Sequence, residues 1–323
     1  MPSRHLRTRA HLCVHAPMRT TSPRSYVGEH PNDTDEERTM STTTDQTQPP
    51  PTAPDDAALK ARHRAMWALG DYAAVAREVI APLGPIVVEA AGIGPGQRVH
   101  DVAAGSGNVA LPAARTGAEV VATDLTSELL ERGREAAEAE ALTITWVAAD
   151  AEHLPCDDGE FDTVVSCVGV MFAPHHEAVA DQLVRVVRRG GTIALLSWTP
   201  EGFIGQMFAA MKPYAPPLPT GAQPPPLWGH VDHVRDLFGD RVRIESAVQQ
   251  DLVVDLFATP QHFVDFFKAN YGPTIAVYRH IADDPGRVAA LDADLLALAE
   301  RFDRGSGATV LDWEYLLLTA TRT

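Results

Sequence analysis

Apolar and polar positions along the chain keep two rhythms, and the change from one to the other divides it. Between residues 59 and 91 apolar side chains recur at helical spacing, with Met66, Trp67 and Leu69 on one face and a break at Gly70-Asp71 before Tyr72. Two or three helices are expected there, stopped by Gly92-Ile93-Gly94-Pro95-Gly96. Short apolar runs then alternate with amphipathic stretches. Strands are expected at 98–103, 119–123, 143–148, 163–169 and 192–198, and helices at 108–116, 127–139 and 177–188. A repeating strand, helix, strand order with short loops requires parallel pairing through right-handed crossovers. The predicted class is therefore α/β, a doubly wound sheet covered by helices on both faces.

After Trp198 the rhythm changes again. A stretch holding Pro213, Pro216, Pro217 and Pro219 precedes an expected helix at 231–238 and a strand at 242–254. About three helices between 260 and 301 follow from the spacing of Phe263, Phe266 and Phe267, then Leu291, Leu295 and Leu298. A last strand is expected at 310–321. Two late strands separated by helices predict a sheet edge with a helical cap inserted into it, the kind of element that builds a substrate pocket.

Composition changes this picture mainly at the start. Arg4, Arg7, Arg9, Arg19 and Arg24 occur with no acid among the first 24 residues, and an acidic patch and a Thr- and Pro-rich run follow. Such a segment buries too little apolar surface to offset its ordering entropy, so residues 1–57 are expected to be a disordered tail. The basic start superficially resembles an organelle transit peptide but lacks an apolar secretory core, and Met40 reads as an equally good start, so residues 1–39 are expected to be an upstream extension. The expected domain is 58–323: N-terminal helices at 58–97 as a lid, a core at 98–199, and the cap and sheet edge at 200–323. No apolar run is long enough for a membrane helix, so no membrane partner is expected. Cys13, Cys156 and Cys167 are too few and scattered for a disulfide framework or thiolate metal site and read as free thiols of a cytoplasmic protein. The formal charge of -16, carried mainly by the residues after 57, repels phosphate backbones. A small molecule, not nucleic acid, is the expected partner. The pattern does not report the oligomeric state.

The chemistry-bearing run is Asp101-Val102-Ala103-Ala104-Gly105-Ser106-Gly107-Asn108, at the turn from the first expected strand into the first crossover helix. Glycines there let a ligand approach the backbone at a helix N-terminus. Gly105, Gly107 and Ala110, with Asp124 nineteen residues after Gly105, also satisfy the dinucleotide pattern. Charge separates the readings. A pyrophosphate at this turn would be repelled by Asp101, whereas S-adenosylmethionine carries an ammonium and a sulfonium instead of phosphate. Acids at Asp101, Asp124, Asp150 and Glu152 follow the carboxyl ends of three consecutive strands, where open α/β sheets bind ligands. Asp101 is expected near the methionyl ammonium, Asp124 at the ribose hydroxyls and Asp150 at the adenine amino group.

With Thr123-Asp124-Leu125, Asp150-Ala151-Glu152-His153-Leu154-Pro155, Phe161-Asp162-Thr163-Val164-Val165-Ser166 and Arg185-Val186-Val187-Arg188-Arg189-Gly190-Gly191, the run makes five ordered blocks. In these residues the chain resembles the class I S-adenosylmethionine-dependent methyltransferases, close to those of ubiquinone and menaquinone biosynthesis. The resemblance implies a Rossmann-like seven-stranded sheet, mostly parallel with an antiparallel last strand. It implies cofactor contacts at Ala103, Gly105, Ser106, Gly107, Asn108, Asp124, Leu125, Asp150, Ala151 and Ser166, and a lid bearing Trp67 and Tyr72. Ala103 stands where many members have glycine, Arg189 where proline is common, and His100 at a usually aliphatic strand position.

Methyl transfer is an in-line displacement in which positioning supplies most of the catalysis. If a general base takes part, His175 or His176 after the fourth strand is the candidate, against a reading of both as a solvated helix start. His100 reads as a hydrogen-bonded core residue, and His230 with His233 lack a third ligand, so no metal is expected. The fourth strand lacks an Asn-Pro-Pro-Tyr element for gripping a flipped base. A nicotinamide-dependent oxidoreductase and a methyltransferase-like protein without transfer activity are the alternatives.

Overall fold

A computed structural model describes residues 53–323, and side chains from residue 56 onward. Three helices come first, α1 (Ala53–Trp67), α2 (Tyr72–Glu78) and α3 (Leu83–Ala90). The alternating part follows as β1 (Arg98–Val102), α4 (Ala110–Arg115), β2 (Glu119–Asp124), α5 (Ser127–Ala139), β3 (Ile144–Ala148), β4 (Phe161–Cys167), α6 (His176–Val186) and β5 (Val187–Trp198). The late part comprises α7 (Phe203–Met211), α8 (Val231–Phe238), β6 (Val242–Val254), α9 (Pro260–Asn270), α10 (Gly272–His280), α11 (Pro285–Phe302) and β7 (Leu311–Arg322).

All seven strands form one sheet in the order β3-β2-β1-β4-β5-β7-β6. The first five run parallel, and β7 pairs antiparallel with both β5 and β6. Central strands buried on both faces read as near-continuous apolar runs. Val99, Val102, Val164, Val165, Ile193 and Ala194 accordingly form the middle of the core. Chain order reverses between β1 and β4, and this switch point opens a crevice at the carboxyl ends of the strands.

Several boundaries depart from expectation, among them β4, which lies two residues early, and α7 was not expected. α1 begins at Ala53, inside the segment expected to be disordered; the rest of that tail lies outside the described residues. α4 starts two residues late, because the turn of Gly105 (φ +56°) and Gly107 (φ +89°) intervenes. β5 starts five residues early, because Val187 already pairs with Phe161 across a register shift. Among the described residues no helix is long and apolar enough to cross a membrane.

Candidate active site

The crevice is an open cleft. Its floor comes from the segments that leave β1, β2, β3 and β4, represented by Gly105, Asp124, Asp150 and Gly169, and α1 and α2 cover it with Lys60, His63, Trp67 and Tyr72. Ala103, Ser106, Asn108, Leu125 and Ala151 also line it.

The turn after β1 is built by hydrogen bonds to two acids. Asp101 is buried, and its Oδ2 accepts from the Ala110 N–H at 2.9 Å, capping α4 from below. Asp124 accepts through Oδ2 from Gly105 N–H at 2.8 Å and through Oδ1 from Thr126 N–H at 2.7 Å. Burial pushes the Asp101 carboxyl up to about 8, more than the Ala110 bond lowers it, and the neighbouring Asp124 adds to the rise. The Asp124 carboxyl is also raised, again by burial. Ala103 and Val168 both sit left-handed, at φ +55° and +45°, a conformation costly for any residue with a Cβ and more so for a β-branched one.

On the other side of the cleft a buried lysine holds the lid to the floor. Lys60 Nζ lies 3.1 Å from Asp150 Oδ1 and 2.5 Å from Glu152 Oε2. Asp150 Oδ1 also accepts from Glu152 N–H at 3.0 Å, which leaves Oδ2 for a ligand. Desolvation and the Lys60 charge lower the His63 imidazole. Trp67 packs edge-on against Tyr72, Phe172 and Tyr271 with ring centroids 5.2, 4.7 and 5.8 Å apart, giving the cleft an aromatic wall.

Several sequence-derived candidates lie elsewhere. The Asp101 carboxylate stands behind the turn, not on the cleft wall. Gly107 faces Trp146 on β3, which an added Cβ would meet at 2.7 Å. Ser166 is buried, with Oγ accepting from Val170 N–H at 3.0 Å. His175 Nδ1 lies 2.9 Å from Glu152 Oε2, and its backbone N–H donates to Oε1 of the same carboxylate at 2.9 Å. His176 is fully buried on the far side of that loop, its Nδ1 2.9 Å from His233 Nε2, and burial pushes it down to about 3. Neither histidine lines the cleft. His100 is a core residue 3.0 Å from Thr123 Oγ1 and is likewise pushed down to about 3 by burial.

Lys60 and His63 were missed from sequence, although they share the helical face of Trp67 at three- and four-residue spacing. Asp56, Glu152 and His175 could together offer three metal-ligand atoms, but Lys60 already neutralises Glu152. The residues present fit S-adenosylmethionine. Asp124 and Asp150 at the ends of β2 and β3 suit a cationic, hydroxyl-rich ligand, Gly105 leaves open the space a Cβ would fill toward Tyr72, and Thr126 Oγ1 is buried without a partner among the described residues.

Residues 100–195 match a family model described as a methyltransferase domain. Two uncharacterised proteins of Mycobacterium tuberculosis (strain ATCC 25618 / H37Rv) are similar over most of their length. One is 54% identical over 84% of this chain and 97% of its own, and the other is 52% identical over 80% and 94%. The ubiquinone/menaquinone biosynthesis C-methyltransferase of Laribacter hongkongensis is 35% identical over 34% of this chain and 48% of its own. This chain belongs to one family with the two mycobacterial proteins, and its residues 100–195 are a methyltransferase domain.

Proposed function

We propose that the chain binds S-adenosylmethionine in the cleft under α1 and α2 and transfers its methyl group to an O, N or C atom of a small metabolite by in-line displacement. The observation that carries this reading is the pair Asp124 and Asp150, at the ends of β2 and β3, on the floor of one cleft with an aromatic wall. When bound, the cofactor supplies an electrophilic methyl group on a sulfonium. Asp124 would accept from the ribose hydroxyls, since each of its oxygens uses one lone pair on a backbone N–H and keeps another. Asp150 Oδ2 would accept from the adenine amino group, and Asp101, which burial keeps protonated near neutral pH, would ionise behind the turn as the ammonium arrives. Trp67, Tyr72 and Phe172 would face the sulfonium with their ring quadrupoles. His175 fixes the loop after β4 through Glu152, and His176 fixes α6 through His233, so neither is assigned proton transfer. Orientation and exclusion of water by the lid are the chain's contribution to rate.

The test is isothermal titration of the full chain with S-adenosylhomocysteine and NAD in parallel, with Asp124→Asn as control. Binding of the homocysteine product, weakened at least tenfold in the variant, is the expected result. NAD binding without a response to S-adenosylhomocysteine would overturn the reading.

A further inference from the structure

A cation on the lid meets two carboxylates on the floor. Lys60, on α1, is buried, with Nζ 3.1 Å from Asp150 Oδ1 and 2.5 Å from Glu152 Oε2. Glu152 is buried too, and its carboxylate also meets the backbone N–H and the ring Nδ1 of His175. Asp150 Oδ1 accepts from Lys60 and from the Glu152 N–H, the latter at 3.0 Å. Oδ2 has neither bond, and the exposed His153 ring stands 3.7 Å from it, beyond hydrogen-bond reach. The side chain is thus fixed through one oxygen, and Asp150 lines the cleft with its other oxygen unengaged among the described residues.

We propose that Lys60 is a positioning residue that decides what the cleft reads at the C6 position of a purine. By compensating Asp150 and Glu152 together and holding Asp150 through Oδ1, it makes Oδ2 a fixed acceptor that selects an amino group and rejects a carbonyl oxygen. The inference rests on the S-adenosylmethionine reading for the identity of the ligand and adds to it the part that Lys60 plays. An ionised carboxylate only accepts hydrogen bonds, so it suits the amino group of adenine and repels the oxygen of hypoxanthine. Two carboxylates brought together without a cation share a proton instead, and a protonated carboxyl donates where a carboxylate accepts. Removing the Lys60 charge therefore blurs the choice of base as well as loosening the lid. A lysine suits the task, because a compact ammonium with three donors can serve carboxylates of two different residues at once. Since Lys60 is carried by α1, the selection exists only while α1 is seated on the floor, and lid closure and base recognition become one event.

Isothermal titration of the full chain with S-adenosylhomocysteine and S-inosylhomocysteine, which differ in the amino group and the oxygen at C6, tests this. Wild type is expected to bind the adenine compound at least about tenfold more tightly, the size of one hydrogen bond to a charged group. In Lys60→Met the ratio should fall below about threefold. A merely structural lysine would weaken both compounds by one factor and leave the ratio where it was. Lys60→Gln keeps a donor and loses the charge; it should flatten the ratio equally, and it carries the test if the Met variant does not fold. Adding Glu152→Gln to either variant removes the like-charged neighbour, so Asp150 should again select the amino group and the ratio should return to within about threefold of wild type. A ratio unaltered in the Lys60 variants, or one that stays flat after Glu152→Gln is added, would overturn the proposal. If S-adenosylhomocysteine binds wild type with no preference over the inosine compound, the proposal fails alone. If S-adenosylhomocysteine does not bind at all, the S-adenosylmethionine reading falls with it.

Discussion

Replacing Asp101 by Asn removes one titrating group while keeping an oxygen to cap α4, so its effect on stability isolates the buried carboxyl. The group's value moves from 3.8 in an unperturbed chain to about 8 in the folded one, chiefly through desolvation. Below 3.8 both states hold the proton and the group contributes nothing to pH dependence. Between 3.8 and 8 the folded state keeps a proton that the unfolded chain has lost, so stability falls as pH rises; above 8 the effect levels off. The slope is about 1.4 kcal/mol per pH unit, so wild type should lose about 2.7 kcal/mol relative to Asp101→Asn between pH 5 and pH 7. Urea denaturation of both proteins at pH 5, 6 and 7 gives the difference directly. A difference constant to within about 0.5 kcal/mol, the ordinary error of additivity, would refute a buried neutral carboxyl at this position. The same carboxyl predicts proton release when a ligand's ammonium arrives, measurable as a buffer-dependent binding enthalpy that vanishes in the variant.

The other predictions concern how the lid and the turn are held. Lys60→Met leaves Glu152 buried beside Asp150 and should cost about 3 kcal/mol in urea denaturation, with part of the loss restored by adding Glu152→Gln. Gly84→Ala puts a Cβ 1.8 Å from the Asn108 carbonyl oxygen, so α3 must leave the glycine turn. A loss of more than about 3 kcal/mol, with weakened S-adenosylhomocysteine binding, is expected by titration and denaturation. Ala103→Gly relieves a left-handed alanine and, after the entropy of glycine in the unfolded chain, should raise stability by up to about 1 kcal/mol in the same denaturation assay.

Much of the sheet was legible because its strands carry strong local signals. β1, β2 and β4 are buried apolar runs bounded by glycine or acids, and β6 falls at 242–254 as expected. The acids of the cleft were legible for the same reason, since the end of a parallel strand fixes where its next residues stand. Lys60 was not, because it reads as a surface lysine until Asp150 and Glu152 arrive from ninety residues away. The loop carrying His175 and His176 was located by its place after β4. The direction of each ring depends on Glu152 and His233, partners that no local pattern names. The early start of α1 had a signal, Pro54 followed by Asp55 and Asp56, at the place where a helix begins. The Pro- and Thr-rich composition just before it outweighed that signal.

The place of β7 between β5 and β6 bears on how the chain is made. On the ribosome β6 emerges before the one strand it pairs with, and the alternation β5, β7, β6 gives it no provisional neighbour in native register. At roughly 5–20 residues per second, the stretch from Val254 to Arg322 takes on the order of several seconds to synthesise. During that interval a thirteen-residue strand has both edges unpaired. The core packing that Trp313 contributes is therefore absent until late in synthesis, and a nascent chain halted before β7 would hold a formed glycine turn while the edge of β5 stays uncovered. Quality control in the cell would meet this protein as a nearly finished sheet with one strand still waiting for its partner.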